Sequence, residues 1–151
     1  MSDGMNGAYV AGPVQAERMP FLELSQDAWE RMVGEVRKAF LGARDYAREQ
    51  EGPGRIVFVS AAAAARPIAG ATLEGVAGAF LTTVAQVAAV ELAERGITAN
   101  VVVPALDPDE QTVSAVVDFL LSDSAQGVSG AVIAADGGFS VTKEGKPSPL
   151  L

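Results

Sequence analysis

Neither cysteine nor histidine occurs among the 151 residues, and this decides much of the chemistry open to the chain. Disulfides, thiolate nucleophiles and cysteine metal sites are excluded, and the commonest general base and metal ligand is missing. The side chains left to do chemistry are Glu74 as a base and Ser60 or Asp136 as ligand contacts. Each also has a structural reading, and that reading is the stronger one. A glutamate in the first turn of a helix complements the helix dipole, a serine can simply end a strand, and an aspartate before Gly-Gly supports a turn. Only three lysines occur (Lys38, Lys143 and Lys146), the net charge is -8 and the pI is near 4.4, so no basic patch is available for nucleic acid.

The elements that must hold these residues alternate short apolar runs with long helical periods, an α/β pattern. A short strand is expected over residues 8–10, followed by a polar, proline-containing loop that delivers Ser25 as an N-cap. Apolar positions Trp29, Met32, Val33, Val36, Phe40, Ala43 and Ala47 recur at steps of three and four, which gives a helix to about Gln50, stopped by Gly52-Pro53-Gly54. The run 55–60 is apolar without alternation, as in a parallel strand covered on both faces. A second helix is expected over 72–94, with small residues (Gly75, Ala77, Gly78, Ala79) that would let another helix approach and Leu73, Val76, Phe80, Val84 and Val87 supplying volume; Gly96 closes it. A strand over 97–103 follows. Asp107 then reads as an N-cap and Pro108 as the first residue of a helix running to about Leu121. The last strand, 131–135, is closed by Asp136-Gly137-Gly138, and the segment 140–151 reads as a flexible tail. One domain over residues 1–151 is expected. With no apolar run approaching 18 residues and no basic-then-apolar leader in residues 1–12, the expectation is a soluble, cytoplasmic protein that makes no membrane contact.

The order and spacing of several segments resemble the C-terminal half of the short-chain dehydrogenase/reductase family, in particular reductases of the 3-oxoacyl carrier-protein type. Gly54-Arg-Ile-Val-Phe-Val-Ser60 is similar to the family's central strand. Ala89-Val-Glu-Leu-Ala-Glu-Arg-Gly-Ile-Thr-Ala-Asn-Val-Val-Val-Pro104 resembles its helix-to-strand passage. Val117-Asp-Phe-Leu-Leu-Ser-Asp123 and Val128-Ser-Gly-Ala-Val-Ile-Ala-Ala-Asp-Gly-Gly138 resemble its closing segment. Ala8-Tyr-Val-Ala-Gly12 sits like the Asn-Asn-Ala-Gly strand end, and Asp27-Ala-Trp29 like the start of the family's long helix. The resemblance implies a truncated Rossmann-like, doubly wound fold of about four parallel strands with helices on both faces.

It also implies where function should sit, and those positions depart from the family. Relatives bind NAD(P) through a glycine-rich turn after a first strand, and no glycines here have that spacing. Their Tyr transfers a proton, a Lys four residues later lowers the phenol's pKa, and a Ser orients the substrate. Aligned on Glu91, these positions are held by Glu74, Gly78 and Ala61 respectively. The two tyrosines, Tyr9 and Tyr46, are followed four residues later by Pro13 and Gln50, so no Tyr-x-x-x-Lys occurs. The family's helix Asn falls near Val36, and Pro104 is followed so soon by the next helix that no substrate lid fits. No catalytic, cofactor-binding or metal residue is therefore expected, and no bound cofactor.

The family's assembly elements, by contrast, are all represented. Relatives pair through two long helices, which here makes Val36, Phe40, Gly78, Phe80, Val84 and Val87 the interface candidates. The reading that follows is a non-catalytic, pseudoenzyme subunit that assembles with itself or with a full-length reductase. The alternatives are a subunit that completes the active site of an NAD(P)-dependent oxidoreductase complex, or a folded remnant with no activity.

Overall fold

A computed structural model describes residues 7–142. Its centre is one sheet of four parallel strands in the order β1 (Ala8–Ala11), β2 (Gly54–Val59), β3 (Ile97–Pro104) and β4 (Val132–Ala135). Around it lie α1 (Gln26–Glu49), the short α2 (Ala62–Ala65), α3 (Thr72–Glu91) and α4 (Glu110–Leu121). This is the truncated Rossmann-like, doubly wound arrangement expected from the sequence.

Every residue of β2 and β3 is buried, which is why neither alternates in polarity. Ile56, Phe58, Val101 and Val103 pack against Ala43 and Ala47 of α1 and Leu81 and Ala85 of α3 on one face. Val57 and Val102 pack against Leu120 and Ala125 on the other, beneath α4. Each large side chain so buried contributes on the order of 1.5–3 kcal/mol. The outer strands β1 and β4 are only partly covered.

Local signals explain most boundaries. Ser25 caps α1, its hydroxyl oxygen accepting the Ala28 N–H at 3.1 Å. Gly96, at φ 70°, turns the chain out of the helical layer into β3. Other expectations need correction. Asp109, not Asp107, caps α4, accepting the N–H groups of Gln111 and Thr112, so Pro108 lies outside the helix. α3 ends at Glu91 and tightens into a 3₁₀ turn, Ala93–Arg95, instead of continuing to residue 94. The alanine run forms α2, which the periodicity did not indicate. α3 is long and apolar enough to cross a membrane by length and composition, contrary to the expectation that no such run exists. Its Leu73, Leu81 and Ala85 are buried within the chain's own core, while most of the stretch is not buried.

The start of the supposed tail is anchored. Arg66 donates to the Phe139 and Thr142 carbonyls and lies over the Phe139 ring, 5.8 Å from its centroid. Residues 143–151, the rest of that expected flexible tail, lie outside the described residues.

Candidate functional site

Parallel sheets of this kind gather their functional groups where strands end and helices begin. There the loop after β1, the end of β2 and the end of β3 enclose a crevice of about 190 Å³ whose lining includes Gln15, Arg18, Ser60, Ala61, Glu74 and Pro104. Glu74 stands in the first turn of α3 and is met by Arg18 from the β1–α1 loop. The Arg18 Nε donates to both carboxylate oxygens, at 3.0 and 3.2 Å. That loop is held further by the Met19 N–H on the Gly70 carbonyl at 2.9 Å and by an ion pair between Glu17 and Arg31. Glu74, the candidate base, is thus an ion-paired carboxylate that braces a loop over the crevice.

Gly78 lies one turn further along α3, and its contacts correct the expectation that it opens onto an interface. A Cβ there would stand 2.5 Å from the Ser60 hydroxyl oxygen and 2.7 Å from the Ala64 Cβ. The close approach permitted by this glycine is made by the chain's own β2–α2 turn. Gly75 does the same for Ala63, where an added Cβ would come within 3.2 Å of the carbonyl oxygen. Ala61 is the second of the two residues between β2 and α2, and its methyl offers no hydroxyl. Ser60 is buried beside it, with no hydrogen-bond partner for its hydroxyl among the described residues.

The remaining polar candidates have structural partners. The Tyr9 hydroxyl donates to the Ala39 carbonyl at 3.1 Å, and its ring stacks on Tyr46 with centroids 6.0 Å apart. The Tyr46 oxygen accepts the Arg55 N–H at 3.2 Å. Burial pushes both phenols above their ordinary value, which favours the neutral form and gives no activated acid. Asp136 accepts the N–H groups of Gly138 and Ser140, each at 2.9 Å, and so closes the turn after β4. Burial raises its carboxyl, but the hydrogen bonds from Ser140 and Gly138 outweigh that and hold it below the usual carboxylate value. Buried Asn100 bridges two backbone groups of the approach to β4, donating to the Val128 carbonyl at 2.8 Å and accepting the Ala131 N–H at 3.0 Å.

Among the described residues no three acidic side chains stand close enough to hold a metal ion. The turns that leave β2 and β3, residues 60–61 and 105–109, contain no glycine. After β1, Gly12 takes φ 94°, and a Cβ there would collide with the Val59 carbonyl oxygen, so this glycine serves strand packing.

A second region draws attention on the outer side of α1 and α3. Of the interface candidates, Phe40, Phe80 and Val87 are exposed, and Val84 is half-buried beside them. Val36 faces inward, packed with Ala28, Met32, Leu73 and Ala77, because it falls on the same helical stripe as Met32 and Ala39. Val36 and Gly78 therefore lie in the chain's own core. In their place Trp29 and Val33, two of the apolar positions that mark the helix in the sequence, stand exposed. A groove of about 390 Å³ runs between the helices, lined by Phe40, Arg44, Arg48, Val84 and Val87 among others. Arg18 gave no advance signal, since a lone arginine in an aperiodic loop carries no positional information.

Residues 6–107 match the family profile described as Enoyl-(Acyl carrier protein) reductase, which is more than half of the chain. The chain belongs to the short-chain dehydrogenase/reductase family. No curated protein matches it significantly. Among solved structures it is similar to acetoin dehydrogenase from Enterobacter cloacae, with 23% identity, a TM-score of 0.83, and coverage of 96% of this chain and 66% of that one. A landomycin C-6 ketoreductase with bound NADP and rabelomycin matches with 22% identity and a TM-score of 0.83, over 90% of this chain and 62% of that one. A Serratia marcescens short-chain dehydrogenase/reductase matches with 25% identity and a TM-score of 0.81, over 89% and 66%. The chain thus spans less than two thirds of the length of these proteins.

Proposed function

We propose that this chain is a non-catalytic, pseudoenzyme member of its family, acting in the cytoplasm through assembly with itself or with a full-length reductase. The observation that carries the proposal is the state of positions 74 and 78. A carboxylate tied to Arg18 stands where the family's proton donor is expected, and the space a lysine would need at 78 is filled by Ser60 and Ala64. A pair of oppositely charged side chains has neither the neutral phenol nor the adjacent ammonium that carbonyl reduction requires. The residues present also do not fit a nicotinamide dinucleotide, because the turns that leave β2 and β3 hold no glycine that would bring N–H groups to its pyrophosphate, and the Glu74 carboxylate lines the crevice. What supports the assembly half of the proposal is the exposed apolar row on α1 and α3.

Calorimetric titration of the isolated chain with NADH and NADPH tests it. The expected result is no saturable heat up to millimolar cofactor, and a micromolar Kd for either would overturn the proposal.

A further inference from the structure

α2 has little to hold it in place from within. It is four residues long, Ala61 before it offers no side-chain cap, and only Ala62 of its four alanines is buried. A single helical turn also supplies few hydrogen bonds of its own. Here the Ala64 N–H donates to the Ala61 carbonyl and the Arg66 N–H to the Ala62 carbonyl, each at 3.0 Å. Beneath α2 lies a polar group that is left unsatisfied. Ser60 is 1% exposed, and its hydroxyl has no partner among the described residues. That hydroxyl and the Ala64 Cβ both crowd Gly78, so the oxygen is shut in where β2, α2 and α3 meet. An unpaired buried hydroxyl is destabilising, and water would satisfy it if α2 lifted.

What holds α2 down comes from the other end of the described chain. Arg66, directly after α2, donates to the Phe139 carbonyl at 3.3 Å and to the Thr142 carbonyl, and its guanidinium lies over the Phe139 ring. The turn that presents these groups is itself fastened to Asp136. The Phe139 N–H donates to the Asp136 carbonyl at 3.0 Å, and the Ser140 N–H to the Asp136 carboxylate at 2.9 Å. The segment after β4 is thereby tied to an element that lines the crevice through Ala62.

We infer that the turn after β4 is a strap and α2 a flap. Arg66 keeps the flap closed over Ser60, and withdrawal of residues 139–142 lets it lift and opens the crevice beside the end of β2. The inference concerns the single chain and stands apart from the proposed assembly role. Because the chain has no cysteine, Ser60→Cys carries one thiol under the flap, and Val57→Cys carries one in the sheet core beneath α4. Each is made with and without Arg66→Ala, checked for fold by circular dichroism, and labelled with N-ethylmaleimide. Arg66→Ala should speed labelling at position 60 about tenfold and leave position 57 unchanged. Phe139→Ala, which trims the ring under the guanidinium, should act at the same place with a smaller effect. Hydrogen exchange of residues 62–66 in the cysteine-free Arg66→Ala chain should rise about tenfold while β2 and β3 keep their protection. An unchanged rate at position 60 would overturn the strap. Equal acceleration at positions 60 and 57 would overturn the flap, since Arg66 would then stabilise the chain as a whole.

Discussion

The crevice at the strand ends and the outer flank of α1 and α3 are built partly from the same two helices, yet they have opposite character. In the crevice, space is taken up from within: Gly78 admits the β2–α2 turn, and Arg18 answers the charge of Glu74. On the flank, Trp29, Val33, Phe40, Phe80 and Val87 remain exposed although the helices beneath them are well packed. A crevice can be filled by its own chain, because small residues and a nearby arginine suffice. An apolar row on a helix cannot be covered that way once the inner face of the same helix is committed to the sheet. The difference teaches that the two helices have one face fixed by folding and one that folding leaves uncovered.

The largest effect that would sharpen this contrast comes from paired truncations on α3. Leu81→Ala, at a fully buried position, should lower unfolding free energy by about 2–5 kcal/mol in urea titrations. Val87→Ala on the flank should stay within about 0.5 kcal/mol for the monomer while weakening association. A large loss at Val87 in dilute monomer would erase the distinction. Next in size is Gly78→Lys, which restores the residue type expected of a reductase at that position. Overpacking against Ser60 and Ala64 should cost about 1–3 kcal/mol and give no cofactor binding; a neutral effect would mean that the crevice is not filled. The smallest effect is Arg18→Ala. Its partially exposed pair with Glu74 should contribute no more than about 1 kcal/mol, with the loss reduced further in high salt.

The framework of the fold was legible in the residues. The unbroken apolar runs of β2 and β3, the Gly-Pro-Gly stop before β2 and the N-cap at Ser25 are local signals, and local signals survive into the structure. The offset at α4 shows where locality fails. Asp107 and Asp109 are both competent caps flanking one proline, and only the path from Pro104 decides between them. α1 and α3 expose a related ambiguity, since periodicity identifies apolar stripes without saying which one faces the sheet. Val36 and Gly78 turned inward while Trp29 and Val33 turned outward for that reason. Of the crevice, Ala61, Glu74 and Gly78 could be named in advance, as the residues that the family resemblance sets at the Ser, Tyr and Lys positions. The Arg18 contact could not, because it joins residues 56 positions apart through a loop of no regular pattern.

Asn100 bears on how the sheet avoids assembling wrongly. β4 is a four-residue edge strand, and a strand so short has few ladder bonds with which to choose among neighbouring alignments. Asn100 projects from β3 and grips the Val128 carbonyl and the Ala131 N–H just ahead of β4, so it measures where that strand begins. A slip by one residue would strand its amide in the interior without partners, at a penalty of roughly 1–3 kcal/mol, and would also turn the strand's apolar side chains to the wrong face. One buried side chain thus favours a single alignment of the last strand over its neighbours.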